Sequence, residues 1–129
     1  MFKIELLGEE EALDDGMRFG RITIGDFTER FGCYPITDHI EDLPRLWQEA
    51  LQSLVDGEEA VALQHDPRMA WIVYRDDDQC YVQQMLLLRA NQGIPERETE
   101  TEDGDPISEW SVDLSDIEDF VASFDASDA

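Results

Sequence analysis

The sequence offers few residues that could act as catalytic nucleophiles or bases. His39 and His65 are its two imidazoles, and Cys33 and Cys80 are its two thiols. Cys33 and His65 are a conceivable nucleophile and base, because a thiolate forms most readily beside a base. No glycine-rich oxyanion loop, phosphate-binding loop, dinucleotide fingerprint or paired-histidine zinc motif accompanies them. We therefore interpret the histidines as structural or exposed residues and the cysteines as reduced, partly buried thiols, and we predict no enzyme activity and no cofactor.

Carboxylates are by far the most abundant reactive groups in the chain. Asp and Glu number 32 against 9 Lys and Arg, which gives a formal net charge of -23. With this many acids, some carboxylates will lie close together by chance. A close pair of carboxylates therefore does not predict the acid–base dyad of a glycosidase. Neither Asp76–Asp78 nor Asp103–Asp105 has the alternating ligands and distal glutamate of a calcium loop, so we predict no metal site.

The negative charge restricts the partners that this chain can bind. It repels the phosphates of DNA and RNA and the anionic surface of a membrane, so neither is an expected ligand. A cation or a basic protein remains attractive. The acids concentrate at Glu9–Asp15, Asp76–Asp78 and Glu96–Asp105, and this uneven distribution favours a functional role over a general gain in solubility.

The chain of 129 residues predicts one domain over its whole length, 1–129. No apolar stretch approaches the roughly 18 residues that a membrane-spanning helix needs. The residues Met1–Glu5 lack the features of a signal peptide, and two cysteines with no disulfide or metal spacing fit a reducing compartment. We therefore expect a cytoplasmic protein.

The hydrophobic pattern predicts several strands and two helices. Extended segments are expected at residues 2–7, 18–31 (with a bulge or bend at Gly25), 60–63, 69–75, 81–88 and 107–112, and a loop is expected at 32–35. Helical spacing of apolar residues predicts helices at 40–55 and from Ser115 onwards, the second with Ile117, Phe120, Val121 and Phe124 on its apolar face. Asp38 with Glu41 and Ser115 with Glu118 have the spacing of capping boxes.

The order of these segments predicts an α+β fold. Asp76–Asp78 joins two alternating strands, which indicates a hairpin with an acidic tip. The unbroken apolar run at 85–88 predicts a central strand covered on both faces, whereas the polar connection at 90–106 is expected to stay solvated. The expected architecture is an antiparallel sheet of about five or six strands with the two amphipathic helices packed on one face.

Three tryptophans are candidates for ligand stacking. Trp47 lies on the apolar stripe of the first predicted helix and Trp71 lies within a strand, so both are interpreted as core residues. Trp110 follows the acidic connection. Core packing is the favoured interpretation for this residue as well, with an interface role as the alternative.

The hairpin and the C-terminal third of the chain resemble one family of immunity proteins. The segments Trp71–Arg75 and Tyr81–Gln84, with the acidic turn between them, resemble a hairpin of the CdiI proteins of contact-dependent growth inhibition. Asp103–Trp110, followed by Asp113-Leu114 and Asp119-Phe120, is similar to the same family. Looser similarity at 24–27 and 47–51 extends the resemblance over most of residues 20–124.

The resemblance implies an immunity protein that neutralises the C-terminal toxin domain of a CdiA exoprotein delivered by neighbouring cells. It also implies a toxin that is a basic nuclease cutting small-subunit ribosomal RNA, and a fold similar to the Whirly single-stranded nucleic-acid binders. The net negative charge of this chain does not favour binding of nucleic acid, in contrast to the Whirly proteins. We expect the protein to be a monomer that forms a 1:1 heterodimer with the toxin domain.

Charge clustering leads to a hypothesis about the contact surface. A nuclease holds a phosphate backbone in a cationic cleft, which an acidic protein can occupy in place of RNA. We predict that the toxin-facing residues are Asp76, Asp77, Asp78, Glu96, Glu98, Glu100, Glu102, Asp103, Asp105 and Trp110. The alternatives are an acidic interaction module, either a nucleic-acid mimic or a chaperone for another basic protein, and a hydrolase that uses Cys33 or His65.

Overall fold

The strands of the protein form two antiparallel sheets. The computed structural model describes residues 1–8, 17–35, 39–86, 94 and 96–127. The first sheet has the order β1 (Phe2–Leu6), β2 (Arg18–Ile24), β3 (Phe27–Cys33). The second has the order β4 (Ala60–Gln64), β5 (Met69–Asp76), β6 (Gln79–Leu86), β7 (Trp110–Asp113). A 3₁₀ turn (Ile40–Asp42) leads into helix α1 (Leu43–Asp56), and helix α2 (Leu114–Ser127) follows β7.

A turn at Gly25 divides a segment that the sequence pattern predicts as one extended run. Gly25 has a φ of +61°, which glycine adopts without steric cost. Ile24 pairs with Phe27 directly across this turn. The bulge or bend expected at Gly25 is a hairpin turn that separates two strands. β3 then continues through Gly32 and Cys33, where a loop is predicted, because the buried Cys33 side chain continues the alternation of the strand.

Helix α1 confirms the helix predicted at 40–55. Its apolar stripe is buried and consists of Leu43, Trp47, Leu51 and Leu54. Pro44 stands in the first turn, where its missing N–H leaves no helical bond unmade. Gly57 ends the helix with a φ of +133°, and its N–H donates to the Leu54 carbonyl. Asp38, which is expected to form a capping box with Glu41, lies outside the described residues.

Strand β5 of the second sheet is buried on both faces. In β5, Trp71 and Val73 point into the main core, while Ile72 and Tyr74 belong to a smaller apolar cluster on the opposite, outer face. β6 lies between β5 and β7, as expected for a central strand. Residues 87–88, the end of the predicted apolar run, and the acidic residues 9–15 lie outside the described residues.

Helix α2 begins at Leu114, one residue before the predicted start. The Leu114 N–H donates to the carbonyl of Asp78 at 2.9 Å, so the first turn of the helix is attached to the β5–β6 turn. Ser115 is consequently inside the helix and is not its cap. The apolar face is confirmed at Ile117 and Val121, which are buried, and at Phe120, which is partly buried. The side chain of Phe124 lies outside the described part of the chain.

The main core lies between the two sheets and both helices. Every strand and both helices contribute buried side chains to it. The α+β class, the antiparallel pairing and the two amphipathic helices are confirmed. In the described residues, seven strands divide into sheets of three and four, where a single sheet of about five or six strands is expected. Both helices pack into the same core on the inner side of these sheets, α1 against β4 and β1 and α2 against β1 and β7.

Candidate functional site

The turn between β5 and β6 carries three consecutive aspartates, Asp76, Asp77 and Asp78, which we call the acidic tip. All three side chains are exposed. Asp76 pairs with Gln79, so the connecting loop has two residues and the predicted hairpin is confirmed. Asp77 has a φ of +61°, a left-handed conformation that Asp and Asn adopt at lower cost than most residues. A short loop of this kind holds its carboxylates clear of the sheet.

Both helices hold the acidic tip in place. Arg75 donates from Nη1 to the carbonyl oxygens of Leu54 at 2.8 Å and Val55 at 3.1 Å, and from Nε to the Asp77 carbonyl at 3.0 Å. A cation here bonds carbonyl oxygens at the negative end of α1, one of which, that of Leu54, also accepts the Gly57 N–H. On the other side, the Asp78 carbonyl accepts the N–H of Leu114 at the start of α2. The tip therefore has a fixed position relative to the core.

Acidic grooves lie on both sides of this tip. The first groove has a volume of about 590 Å³ and includes the carboxylates of Glu58, Glu59, Asp76, Asp77 and Glu96. Tyr74 and Tyr81 supply aromatic surface to the same groove. The second groove, also about 590 Å³, lies between the tip and the start of α2, with carboxylates from Asp76, Asp77, Asp78, Asp113 and Glu118. The structure thus brings Glu96 together with the tip, as the hypothesis requires.

The residues Glu96–Asp105, which we call the acidic segment, are partly folded. The Ile107 N–H donates to the Thr99 carbonyl and the Thr101 N–H donates to the Asp105 carbonyl, which closes a small hairpin. Gly104 supplies the positive φ of its turn. The predicted carboxylates are all exposed: Glu96, Glu98, Glu100, Glu102, Asp103 and Asp105. This part of the connection is therefore hydrogen-bonded and not merely solvated, because its backbone groups find partners within the segment.

The acidic segment is attached to the outer face of the second sheet. Arg97 donates to Glu109 through two bonds, Nε to Oε2 at 2.8 Å and Nη2 to Oε1 at 2.6 Å. Its guanidinium lies 3.9 Å from the centre of the Tyr81 ring. The amide nitrogen of the buried Gln83 donates to Glu109 Oε2 at 2.7 Å and to the Glu98 carbonyl at 2.9 Å. Hydrogen bonds from Arg97 lower the pKa of the Glu109 carboxyl, and the same bonds raise the pKa of Arg97.

Sequence reasoning missed this group of residues, although one signal could have found it. Arg97 immediately precedes a stretch, 98–129, that contains 12 acids and no base. An isolated cation at the start of such a stretch is a candidate for an ion pair within it. The choice of Glu109 as the partner could not have been made from spacing, because it depends on the path of the segment between them.

Trp110 packs against other aromatic rings and is half-buried. Its ring stacks on Phe27 with centroids 4.3 Å apart and meets Trp71 edge-on at 6.0 Å. This is the core packing that the sequence analysis favours. Trp47 and Trp71 are also in the core, as predicted, with 1% and 0% of their surfaces exposed.

The geometry of the cysteines and histidines suits structural roles. Cys33 and Cys80 are free and buried, and burial raises the pKa of their thiols to about 12 and about 11. Burial also lowers the pKa of His65, whose Nδ1 lies 2.9 Å from the Gly32 carbonyl oxygen. A thiol with so high a pKa supplies almost no thiolate near neutral pH. His39, by contrast, is exposed.

The described residues contain no cluster of three or more His, Cys, Asp or Glu side chains arranged to hold a metal ion. Within the same residues, no helix is both long and apolar enough to cross a membrane. What the site offers chemically is a set of exposed carboxylates around two grooves. Such a surface attracts cationic groups on another molecule and has little affinity for an anionic one.

Comparison with known proteins agrees with this description. The model of the family described as the CdiI N-terminal domain matches residues 38–120. Among solved structures, the fold matches a chain of the "CdiA-CT/CdiI toxin and immunity complex from Enterobacter cloacae" with a TM-score of 0.79 and 26% sequence identity. That match covers 98% of this chain and 99% of the other. The search of curated proteins finds no match.

Proposed function

The chain belongs to the CdiI N-terminal domain family, and we propose from this that it is the immunity protein for the C-terminal toxin domain of a CdiA exoprotein. The observation that carries the proposal is the family match over 38–120, which includes α1, the acidic tip and the start of α2. The similarity to a chain of a toxin–immunity complex over nearly the whole length supports it. The function is binding and not catalysis, and the cell that makes the protein is the cell that it protects.

We further propose that the toxin is a nuclease, with ribosomal RNA as the substrate that the family resemblance suggests. The support is electrostatic: a nuclease requires a cationic cleft, and this chain carries a net charge of -23. An acidic protein can occupy that cleft and exclude RNA without offering a bond to cleave. The proposed complex is a 1:1 heterodimer that forms in the cytoplasm.

The toxin-facing surface in this proposal is the acidic tip together with the acidic segment. Its carboxylates are Asp76, Asp77, Asp78, Glu96, Glu98, Glu100, Glu102, Asp103 and Asp105. Opposite charges can raise the association rate towards about 10⁸–10⁹ M⁻¹s⁻¹ at low salt. Fast capture is valuable because every free toxin molecule turns over many substrates.

Exposed charges alone give speed more than affinity, so a tight complex also needs desolvated contacts at its centre. Tyr74 and Tyr81 line the first groove beside Glu96, Asp76 and Asp77, and they are suited to that role. Trp110 contributes through the part of its ring that the stack on Phe27 leaves exposed.

Co-expression with the cognate CdiA C-terminal toxin domain tests the proposal. We expect cells that produce both proteins to grow, and cells that produce the toxin domain alone to stop growing. Calorimetry on the purified pair should give a stoichiometry of one to one. Continued growth arrest, or rescue without any complex on size-exclusion chromatography, would contradict direct neutralisation by binding. Cleavage of ribosomal RNA by the toxin alone, and its loss in the complex, tests the nuclease assignment separately.

A further inference from the structure

Arg97 is a cation in a surface that is otherwise strongly anionic. Its neighbours in the acidic segment include six exposed carboxylates, and its side chain keeps 33% of its surface exposed. If the purpose of this surface is to attract a cationic partner, a positive charge there weakens the attraction. The contacts that Arg97 makes within the protein suggest what its positive charge contributes instead.

The contacts of Arg97 use both the edge and the face of its guanidinium. The edge makes the two parallel bonds to Glu109, a geometry that a planar guanidinium can form and an ammonium cannot. The face lies on the Tyr81 ring. Arg97 therefore uses Nε, one N–H of Nη2 and one face of its guanidinium on groups of its own chain.

Two side chains of β6 attach the chain on both sides of the small hairpin in the acidic segment. Tyr81 and Gln83 are alternate residues of β6, so their side chains share the outer face of the second sheet. Gln83, which is 2% exposed, bonds Glu109 after the segment and the Glu98 carbonyl within it. Arg97 completes this arrangement from the other side of Glu109. The hairpin at residues 99–107 lies between these two attachment points.

From this geometry we propose that Arg97 is a positioning residue, which holds the acidic segment against β6 in the conformation that the partner binds. The inference rests on the proposed immunity function. Its physical basis is that a segment already ordered in the free protein does not lose further conformational freedom on binding. The positive charge of Arg97 thus weakens the long-range attraction of a cationic partner, while its contacts keep the acidic segment ordered before binding.

Substitution of Arg97 separates this role from a simple charge effect, because the two effects have opposite signs. Arg97→Gln makes the protein more negative, so a pure charge role predicts faster association and tighter binding to the cognate toxin domain. We expect weaker binding, with dissociation about tenfold faster by surface plasmon resonance. Arg97→Lys keeps the charge and loses the paired bonds, and we expect it also to dissociate about tenfold faster at an unchanged association rate. Arg45→Gln, an exposed arginine of α1, is the matched charge control and should leave the dissociation rate unchanged.

A measurement on the free protein makes the inference independent of the toxin. In Arg97→Lys we expect amide hydrogen exchange to accelerate at least about tenfold at Thr101, Gly104, Asp105 and Ile107, while Trp71 and Val73 in β5 keep their protection. Unchanged exchange in the segment overturns the inference whatever the toxin does. Accelerated exchange with unchanged dissociation shows that the ordered segment does not serve binding, which also overturns it. Failure of the wild-type chain to bind the toxin domain, with the exchange effect present, refutes the proposed function instead.

Discussion

Arg75 donates a hydrogen bond from its Nη1 to the carbonyl oxygen of Leu54 at 2.8 Å. This bond links the residue beside the acidic tip to the last turn of α1, where backbone carbonyls have no partner within the helix. The same side chain also bonds the Asp77 carbonyl in the tip itself. One arginine therefore ends a helix and supports a turn, so its loss should affect both stability and the proposed binding surface.

Arg75→Gln should lower the free energy of unfolding by about 1–3 kcal/mol, because three carbonyls lose a charged donor. Arg75→Lys should recover only part of the loss, since an ammonium cannot reproduce the spread of bonds from Nε and Nη1. Urea denaturation followed by circular dichroism measures both. Arg45→Gln, exposed on the same helix, should change stability by less than about 0.5 kcal/mol. Equal losses for Arg75→Gln and Arg45→Gln would show that the bonds to α1 contribute nothing specific.

The acidic tip should control how fast the toxin domain is captured. We expect the triple variant Asp76→Asn, Asp77→Asn, Asp78→Asn to associate about tenfold more slowly at low salt, with a flatter dependence of the rate on ionic strength. Stopped-flow mixing at several salt concentrations measures this. The matched control replaces three exposed acids on other elements, Glu29, Glu41 and Glu49, with Gln. If both triples slow association equally, net charge and not the position of the tip determines the rate.

Gly20 should tolerate no side chain, whereas Gly32 should. A Cβ at Gly20 would lie 2.5 Å from Cζ of Phe31, and this ring is confined by Trp47, Trp71 and His65. Gly20→Ala should therefore cost about 1–3 kcal/mol of stability through overpacking. At Gly32 the nearest atom to a Cβ is Cε of Met17 at 3.5 Å, an ordinary contact. Thermal and urea unfolding of the two alanine variants compares them directly, and similar stabilities would contradict the packing around Phe31.

His65 should make folding stability depend on pH in a mildly acidic range. Burial lowers its pKa, and this outweighs the hydrogen bond to Gly32 and the charge of Asp66, both of which raise it. The unfolded chain therefore binds a proton more readily than the folded protein, so the stability from neutral His65 is present above about pH 6.5 and is lost as the pH falls below it. The paired carboxyls Glu5 and Glu109 titrate in a lower range, because the pKa of each is lowered.

A variant isolates this contribution of His65 from the repulsion among the carboxylates. His65→Gln should be less stable at pH 7 by about 1–3 kcal/mol. The stability difference from the wild type should shrink as the pH is lowered from 7 to 5, because the variant lacks the titrating group. His39→Gln, at an exposed histidine, is the control for loss of an imidazole and should change stability at pH 7 by less than about 0.5 kcal/mol. A difference that stays constant with pH at position 65 would contradict the proposed titration.

The sequence predicts those elements whose causes are local. Helix α1 follows from its apolar spacing and from Pro44 and Gly57 at its ends, and the acidic tip follows from two alternating strands joined by aspartates. The division into two sheets does not follow, because alternation shows which side chains share a face and says nothing about which strands are neighbours. The hairpin at Gly25 is missed for a related reason, since apolar residues continue on both sides of it.

The site is predictable as a distribution of charge but not as an arrangement in space. Charge clustering identifies both the acidic tip and the acidic segment, and the structure places Glu96 beside Asp76 and Asp77. The attachments made by Arg75 and Arg97 are not predictable, since they depend on where α1 ends relative to β5 and on how the segment returns to β6. The predicted Whirly-like fold and the toxin-contact role of each acidic residue stay predictions.

The attachment of the acidic tip to both helices has a consequence for detecting a partner. The Asp78 carbonyl is hydrogen-bonded to the first turn of α2, and Arg75 is hydrogen-bonded to the last turn of α1. A ligand that immobilises the acidic tip therefore also restricts the motion of these two helix ends. Backbone signals from Val55, which lines neither groove, would then report occupancy of the acidic tip. The acidic tip thus couples binding at the surface to the ends of both helices.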